Sequence, residues 1–184
     1  MEKWALIIGG SSGMGLATSQ KLSKNSFNLI IIHRDRRSLM PAFNEHLDEM
    51  KKTRQKVINF NVDGTNKERI NETLALITDQ VPNLSFDLIL HAISRGNLKP
   101  FVSKEDQPTL TAQDVALTID AMATNVLTWV QTLKDHSLLK SGSRLVTLTS
   151  AGSARYWKGY GAVAMAKSSL EILSKYLAVE LAPF

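Results

Sequence analysis

Tyr160 and Lys167 are the two side chains whose types and spacing indicate chemistry, and they lie seven residues apart near the end of the chain. A phenol hydroxyl can donate to a substrate oxygen, and a lysine ammonium can hold a ribose and favour charge on the phenol. On one α-helix the two residues would share a face, about 10 Å apart along the axis. That separation weakens their direct coupling. It favours a tyrosine that stabilises an enolate oxygen over one that rapidly protonates an alkoxide.

A glycine-rich turn follows the first apolar run. It carries six candidate cofactor-binding residues: Gly9, Ser11, Ser12, Gly13, Met14 and Gly15. Gly9 permits a tight turn, Gly13 lets the backbone approach a pyrophosphate, and Gly15 lets a helix pack closely on a strand. The helix N-terminus supplies N–H donors and partial positive charge. Such a turn can also be a mere connection, but its place between an apolar strand and a helix favours dinucleotide binding.

The residues at the end of the second apolar run predict which cofactor is bound, NAD(H) or NADP(H). An acidic residue about 20 positions beyond the glycines holds a ribose 2′-hydroxyl, whereas arginine accommodates a 2′-phosphate. Here the run ends in His33 and Arg34 with no carboxylate at its tip, although Asp35 follows at once. Arg34 can make paired hydrogen bonds to a phosphate, and His33 can add to the positive field. The sequence thus predicts NADP(H), with a solvated basic turn as the alternative.

Strand-length apolar runs alternate with longer helical patterns along the chain. Continuous apolarity is typical of parallel strands covered on both faces, and the alternation is typical of βαβ units. We expect an α/β fold, a Rossmann-like doubly wound parallel sheet flanked by helices. The predicted strands are Trp4–Ile8, Leu29–Ile32, Val57–Phe60, Phe86–Leu90 and Leu145–Leu148, and the predicted helices are Gly15–Lys24, Ser38–Lys52, Lys67–Gln80, Thr111–His136 and Tyr160–Leu181.

Local signals predict two helix starts and one loop. Thr65 precedes Glu68 by three residues, and Thr111 precedes Asp114 by three, so each pair can form a capping arrangement. The stretch 94–108 contains one glycine and two prolines. We expect it to form a loop beside the active site.

Composition excludes several classes of protein. Hydrophobic residues make up 43% and charged residues 21% of the chain, which is ordinary for a soluble globular protein, and the length predicts a single domain over residues 1–184. The absence of cysteine excludes disulfides and thiolate metal sites, and no apolar run reaches the ~18 residues that span a bilayer. We therefore expect a cytoplasmic protein without a metal or a membrane partner. Basic clusters at 33–37 and 51–56 lack interleaved aromatic residues, so we expect no nucleic-acid partner despite the net charge of +5.

Over essentially its whole length the chain resembles the short-chain dehydrogenase/reductase family. Asn61 and Val62, after the third strand, resemble the segment that brackets the adenine of the cofactor. The match over residues 91–94 is partial, with Ala92 at the position of a small cofactor-binding residue. The resemblance therefore adds these residues to the predicted nucleotide site.

The resemblance also implies four catalytic residues. Asn125 resembles the helix asparagine that orders a proton-relay water, and Ser150 resembles the active-site serine. The commonest family pattern places its tyrosine four residues before the lysine, where this chain has Val163, which cannot donate a proton. Tyr160, seven before Lys167, has the spacing of enoyl-acyl-carrier-protein reductases. The C-terminal segment resembles in particular their NADPH-dependent type III enzymes.

What the resemblance implies is an NADPH-dependent reductase of an enoyl thioester, carried by acyl-carrier protein or coenzyme A. It also implies a homo-oligomer that assembles through small-residue helix faces near Asn125 and Lys167. Two alternatives stay open: a carbonyl or ketoacyl reductase, and a catalytically degenerate NADP-binding regulator, which Val163 keeps open. Because family members continue with further strands and a substrate lid, we expect the C-terminal part of the family fold to be missing from this chain.

Overall fold

The structure, a computed structural model, describes residues 2–104 and 107–183. Its strands are β1 (Lys3–Ile8), β2 (Phe27–His33), β3 (Val57–Asn61), β4 (Phe86–His91) and β5 (Leu139–Thr147). They form one parallel sheet in the order β3-β2-β1-β4-β5, which confirms the predicted fold class. In such sheets the ligand crevice lies at the carboxyl ends of the strands where the order reverses, here β1 and β4. The Ala92 N–H donates to the Ile8 carbonyl at 2.8 Å and joins these two strand ends.

The middle of the sheet is apolar because both of its faces are covered. In the register of the strands, Leu6 of β1 lies between Ile30 of β2 and Ile89 of β4. Leu6 and Ile30 are completely buried and Ile89 nearly so. The buried strands form the frame that holds the loops at their carboxyl ends.

Six α-helices complete the described part of the chain. They are α1 (Gly13–Lys24), α2 (Met40–Lys51), α3 (Lys67–Gln80), α4 (Ala112–Ile119), α5 (Asn125–Asp135) and α6 (Gly161–Leu181). The bounds of α3 match the prediction, and those of α1, α2 and α6 differ from it by one or two residues. The alternation of strand-length apolar runs with longer helical patterns was therefore sufficient to locate these helices.

The predicted helix Thr111–His136 is interrupted. Its predicted start is confirmed, because the Thr111 hydroxyl accepts the Asp114 N–H at 3.1 Å and the Asp114 carboxylate accepts the Thr111 N–H at 3.0 Å. After α4, residues Asp120–Thr124 form a π-helical turn, and α5 resumes at Asn125. Wide turns of this kind are frequent at functional sites.

Two other boundaries differ from the prediction. Asn66, not Thr65, caps α3 by accepting the Arg69 N–H at 2.9 Å, whereas the Thr65 hydroxyl donates to Asp63. Strand β5 begins at Leu139, well before its predicted start. It lies at the edge of the sheet with exposed and half-buried residues intermixed, so an apolar run is a poor guide to its length.

The chain divides into two compact units. One comprises Met1–Ala92 with Gln131–Val146, and it contains β1–β4, nearly all of β5 and α1–α3. The other comprises Ile93–Val130 with Thr147–Phe184, and it contains α4, the π turn and α6. That both belong to one domain stays a prediction. Within residues 2–104 and 107–183, no helix is long and apolar enough to cross a membrane.

Candidate active site

The turn after β1 has the backbone geometry that phosphate binding requires. Gly9 has a φ of +90° and Gly13 a φ of +52°, in the left-handed region that favours glycine. A Cβ at Gly15 would lie 2.1 Å from the Gly9 carbonyl oxygen, so α1 can start this close to β1 only with glycine there. A Cβ at Gly13 would meet nothing within 4 Å. The backbone at Gly13 therefore faces open space that a diphosphate can enter.

The N-terminus of α1 has donors to offer an anion. Ser12 occupies the N-cap position without a side-chain capping bond, and the first turn carries no acidic residue. Ser11 is half-buried and Met14 exposed on the same turn. Free N–H groups and the helix dipole attract negative charge at such a terminus. The residues present thus fit the diphosphate of a dinucleotide.

His33, at the end of β2, is buried and braces the following turn from inside. Its Nδ1 lies 2.7 Å from Asp35 Oδ2, and its Nε2 lies 3.1 Å from Asn59 Oδ1. Its ring packs against Phe43 with the centroids 4.5 Å apart. Both ring nitrogens are engaged within the chain, and a direct contact of His33 with a phosphate stays a prediction.

Arg34 extends from the tip of β2 and is paired with a carboxylate that the sequence reasoning overlooked. Its Nη1 donates to Asp63 Oδ2 at 2.6 Å, and 55% of the Arg34 side chain is exposed. Asp63 also accepts the Thr65 N–H at 3.0 Å and the Thr65 hydroxyl at 2.6 Å. Burial acts to raise the pKa of Asp63, but Thr65 and the Arg34 guanidinium outweigh it, so that pKa lies below its usual value. Asp63 holds Arg34 in place and competes for it with any phosphate.

Asn61 and Val62 tie the end of β3 to the end of β2. The Asn61 Oδ1 accepts the Asp35 N–H at 3.0 Å, and its Nδ2 donates to the Asp35 carbonyl at 3.1 Å. The Val62 N–H donates to the His33 carbonyl at 2.8 Å. These two residues shape the edge where the adenine was predicted, and their contact with it stays a prediction.

Tyr160 lies immediately before α6 and not inside it. The helix begins at Gly161, and Tyr160 occupies the N-cap position with φ −96° and ψ 4°. The predicted helical face shared with Lys167 therefore does not set the direction of the phenol. That direction is set by Ser150, whose Oγ accepts the Tyr160 hydroxyl at 3.2 Å.

The Tyr160 ring is held by close packing. It meets the Trp157 ring edge-on, with centroids 5.1 Å apart and an interplanar angle of 67°. A Cβ at Gly152 would lie 2.4 Å from the Tyr160 Cε1, so only glycine lets the ring lie there. Tyr156, the other tyrosine nearby in sequence, is 88% exposed. Of these two phenols, Tyr160 is the oriented one.

Val163, at the position of the commoner tyrosine, is a core residue. It is 7% exposed and packs with Met122 and Ala166 in a buried cluster that Tyr160 also contacts. A Cβ at Gly96 would lie 3.3 Å from the Val163 Cγ2, which shows how close the loop approaches. At this position α6 therefore carries a packed apolar side chain and no proton donor.

Lys167 is a buried cation. It is 7% exposed, and its Nζ donates to the Leu148 carbonyl at 2.7 Å. That carbonyl is its one acceptor in the described part of the chain, and burial without a carboxylate lowers the pKa of Lys167. An ammonium has three donors, so two remain for hydroxyl groups of a bound nucleotide.

Ser150 and Asn125 lie in the same compact unit as Tyr160. Ser150 caps a short 3-10 helix, Ala151–Ser153, where its Oγ also accepts the Gly152 N–H at 3.2 Å. Asn125 is buried at the point where the π turn returns to α-helix. The structure thus joins Tyr160 to Ser150 directly. A link between Asn125 and this pair stays a prediction.

A cavity of about 280 Å³ opens beside Tyr160. Phe101, Trp157 and Tyr160 line it with aromatic rings, and Lys99 and Arg155 bring positive charge to its lining. An apolar cavity with few polar groups suits a small organic substrate. It extends directly from the oriented phenol.

The loop predicted over residues 94–108 lies at this cavity. A Cβ at Gly161 would lie 2.2 Å from the Phe101 Cε2, and one at Gly159 would lie 3.7 Å from the Leu98 backbone. The described residues of this stretch form a loop, as predicted, and its place beside the active site stays a prediction. Residues 105 and 106 lie outside them.

Sequence reasoning missed the close-packing role of three glycines. Gly152 makes room for the Tyr160 ring, a Cβ at Gly96 would lie 2.7 Å from the Thr118 Cγ2, and one at Gly10 would lie 2.6 Å from the Ile31 Cγ2. Nothing in the local pattern distinguishes such glycines from those of ordinary turns. Only the tertiary contacts show which side chain each one faces.

Comparisons with known proteins agree with the fold. A family model described as enoyl-(acyl carrier protein) reductase matches residues 9–184. A 3-oxoacyl-[acyl-carrier protein] reductase structure from Brucella melitensis has 18% identity and a TM-score of 0.80, covering 100% of this chain and 71% of that one. A short-chain dehydrogenase/reductase from Serratia marcescens has 20% identity and a TM-score of 0.81, with coverages of 98% and 69%. An enoyl-(acyl-carrier-protein) reductase from Anaplasma phagocytophilum in complex with NAD has 16% identity and a TM-score of 0.78, with coverages of 98% and 66%. At these identities the structures share the fold, and this chain spans only part of their lengths.

Proposed function

The chain belongs to the short-chain dehydrogenase/reductase family, in the group described as enoyl-(acyl carrier protein) reductase, and on that premise we propose that it reduces the C=C bond of an enoyl thioester. The reductant is NADPH, the thioester is carried by acyl-carrier protein or coenzyme A, and the setting is the cytoplasm. The observation that carries this proposal is the placement of Tyr160. Its phenol is oriented by Ser150 and Gly152, seven residues before the buried Lys167 and next to an apolar cavity.

Tyr160 acts on the carbonyl oxygen of the thioester. Reduction at the β-carbon develops negative charge on that oxygen, and a preorganised hydroxyl donor stabilises it. With substrate bound, Tyr160 gives its single proton to that oxygen, and the Ser150 hydroxyl, which accepts from Tyr160 in the free protein, donates to the phenol oxygen and holds it in position. The charge of Lys167 stabilises the same oxyanion at longer range. Asn125 orders a water that relays the proton taken up by the α-carbon, which converts the enolate to the saturated thioester. In these roles Tyr160, Ser150, Lys167 and Asn125 are the proposed catalytic residues.

NADPH supplies the hydride when bound. The N-terminus of α1 with Gly13 holds its diphosphate, and Lys167 donates to its nicotinamide ribose. Asn61 and Val62 flank the adenine, and Arg34 binds the 2′-phosphate. To do so, Arg34 shares or leaves its contact with Asp63.

Arg34 provides the test of cofactor choice. We expect the wild-type protein to bind NADPH at least about tenfold tighter than NADH, a difference of about 1.4 kcal/mol. Arg34→Ala should erase that preference and leave NADH binding nearly intact, as measured by titration of cofactor fluorescence. Arg69→Ala is the matched control, because Arg69 is an exposed, carboxylate-paired arginine of α3 in the same unit. Equal affinities of the wild-type protein for both nucleotides would overturn the NADPH assignment.

Carbonyl reduction is the second candidate. It is favoured by the contact between the Tyr160 and Ser150 hydroxyls, which places a proton donor and a second hydroxyl together, where an alkoxide could be protonated. The same two residues would serve, with the substrate oxygen protonated instead of held as an enolate. The two reactions differ in which carbon receives the hydride.

One assay distinguishes these functions. NADPH oxidation is followed with a crotonyl thioester and, in parallel, with an acetoacetyl thioester and a panel of ketones. Oxidation with the crotonyl thioester alone, yielding the butyryl product, supports the enoyl reductase. Oxidation with the ketones alone establishes the second candidate. NADPH binding without turnover of either substrate class would overturn both reductase functions and would support a nucleotide-binding regulator.

The proposed assembly is a homo-oligomer. Assembly through the small-residue helix faces near Asn125 and Lys167 stays a prediction, and of these small residues Ala162 and Ala166 are completely buried within the chain. A second surface on α6 is an exposed apolar stripe, formed by Met165, Ile172, Tyr176 and Val179. At 3.6 residues per turn this stripe lies on the side of α6 opposite Lys167. A second copy of the chain would cover it.

A further inference from the structure

A polar stripe on α6 faces the turn that carries Ser150. Lys167, Glu171 and Ser174 are spaced four and three residues apart, so they lie on one face of the helix. All three reach the segment 147–153, which contains the end of β5 and the turn after it. The Lys167 Nζ binds the Leu148 carbonyl at 2.7 Å, and the Ser174 hydroxyl lies 3.1 Å from the Thr147 hydroxyl.

Glu171 lies in the middle of this stripe and accepts hydrogen bonds from two residues of the turn. Its Oε1 accepts the hydroxyl of Thr149 and, at 2.8 Å, the hydroxyl of Ser153. These hydrogen bonds lower the pKa of Glu171, with Thr149 contributing most, so the acceptor is the carboxylate. Thr149 and Ser153 lie on either side of Ser150. The carboxylate therefore clamps the turn across the serine.

The turn transmits this clamp to Ser150. The Ser153 N–H donates to the Ser150 carbonyl at 3.0 Å, and the Ser153 hydroxyl lies 2.9 Å from the same oxygen. The hydroxyl has one proton, and because the N–H already satisfies the carbonyl, that proton is available to Glu171. The Ser150 Oγ in turn accepts the Tyr160 hydroxyl at 3.2 Å. Glu171 is thus connected to the phenol through Ser153 and Ser150.

The hydrogen bonds of Glu171 to Thr149 and Ser153 are not needed to satisfy buried polar groups. Thr149 is exposed, and Ser153 and Glu171 are half-buried, so water could satisfy all three groups. What water cannot do is fix the distance between the turn and α6. The effect of these hydrogen bonds is therefore to hold the turn at a fixed distance from α6.

We propose, on the premise of the reductase function above, that Glu171 is a positioning residue for the catalytic pair Tyr160 and Ser150. It holds the turn 149–153 on α6 and thereby sets the place of the Ser150 hydroxyl. It does not touch the substrate, and its effect depends on an oxygen acceptor at this point more than on negative charge.

Three variants of α6 test the role by kinetics. Glu171→Ala removes the acceptor and should lower kcat about tenfold or more, because a small misplacement of catalytic groups is costly to turnover. Glu171→Gln keeps an acceptor oxygen at the same place and should stay within about threefold of the wild type, as expected for a neutral hydrogen bond in place of a charged one. Glu180→Ala removes an exposed carboxylate from the same helix and should not change kcat. The Kd for NADPH should be unchanged in all three.

Trp157 gives a second readout that needs no turnover. Of the three tryptophans, Trp4 and Trp129 are buried, whereas Trp157 is 47% exposed and packs on Tyr160. Acrylamide quenching of the native protein therefore reports mainly on Trp157. We expect Glu171→Ala to quench more strongly than Glu171→Gln and the wild type. Should the wild type turn over neither substrate class, the proposed function fails while this measurement still decides the role of Glu171.

Several outcomes would overturn the role. Wild-type kcat and quenching in Glu171→Ala would do so, and so would equal defects in the Ala and Gln variants, since charge and not position would then matter. If Glu171→Ala does not fold, the double variant Thr149→Val with Ser153→Ala removes both donors and keeps the carboxylate. It should reproduce the loss of kcat and the increased quenching. Wild-type values there would equally refute the proposal.

Discussion

At the scale of single residues, we expect the phenol of Tyr160 to matter more to turnover than to stability. Its ring is held by packing on Trp157 and Gly152, and its hydroxyl donates to Ser150. Tyr160→Phe keeps the ring and removes the donor. We expect kcat to fall roughly 100-fold, as for the loss of one oxyanion donor, with the Kd for NADPH unchanged.

The control for this substitution is Tyr156→Phe. Tyr156 is 88% exposed, lines the same cavity and makes no described hydrogen bond, so its kcat should stay near that of the wild type. Steady-state assays with the crotonyl thioester measure both variants. Normal turnover in Tyr160→Phe would show that the phenol is packing alone.

Lys167 should lower the stability of the folded protein and raise its activity. Its pKa is lowered by burial, so the folded protein binds its proton less tightly than the unfolded chain does. Burial of the charged Lys167 lowers the free energy of unfolding. This destabilisation is fully present at pH values below the pKa of Lys167 in the folded protein, and it is relieved as pH rises from there towards the ordinary pKa of about 10.4. Lys167→Met should therefore raise the melting temperature near neutral pH, by roughly 2–4 °C for each 1 kcal/mol gained.

The stability advantage of Lys167→Met over the wild type should shrink as pH rises through that window. Thermal melts at a series of pH values measure the difference directly. In the same variant, NADPH binding and turnover should both weaken, because the ribose loses a donor. A variant that is less stable than the wild type at neutral pH, with full activity, would contradict this account of Lys167.

At the scale of secondary-structure elements, the sequence predicts what local rules govern. The buried strands β1, β2 and β4 are continuous apolar runs, and α3 shows clear amphipathic periodicity, so their positions could be read directly. The early start of β5 could not, because an edge strand tolerates polar residues. The π turn Asp120–Thr124 leaves no local signal, since its extra backbone width is set by what packs around it.

The same reasoning separates the predictable part of the site from the rest. Residue type and spacing indicated Tyr160, Lys167 and the glycine turn, because chemistry restricts which side chains can serve there. The partners Asp63, Gly152 and Glu171 were not found. The role of each depends on a contact with a residue distant in sequence, and the local sequence does not show such contacts.

The junction of β1 and α1 yields a prediction at this scale. A Cβ at Gly15 would lie 2.1 Å from the backbone oxygen of Gly9, and backbone cannot move aside cheaply. Gly15→Ala should push α1 away from β1, destabilise the protein by about 1–3 kcal/mol and weaken NADPH binding at least tenfold. Thermal melts and cofactor titration measure the two effects. Ala17→Ser, which adds one atom to the exposed side of α1, is the control, and equal behaviour of the two variants would refute the close-packing role of Gly15.

At the scale of the whole molecule, the proposed homo-oligomer depends on the apolar stripe of α6. Met165, Ile172, Tyr176 and Val179 are between 46% and 75% exposed along one side of a 21-residue helix. Exposed apolar side chains grouped on one side of a helix mark an interaction surface. A second copy that presents the same stripe would bury both by two-fold symmetry, which is the commonest arrangement of homo-oligomers.

Ile172→Asp tests this assembly, because it places a carboxylate in the middle of the stripe. Burying an unpaired charge costs several kcal/mol, so the dissociation constant of the oligomer should rise at least about 100-fold. Leu76→Asp on α3 is the matched control, since Leu76 is 52% exposed against 55% for Ile172 and lies outside the stripe. Light scattering across a concentration series should show a wild-type oligomer, an unchanged Leu76→Asp variant and a monomeric Ile172→Asp variant. A wild-type protein that stays monomeric at high concentration, or an Ile172→Asp variant that still assembles, would mean that another surface, or a different partner, covers α6.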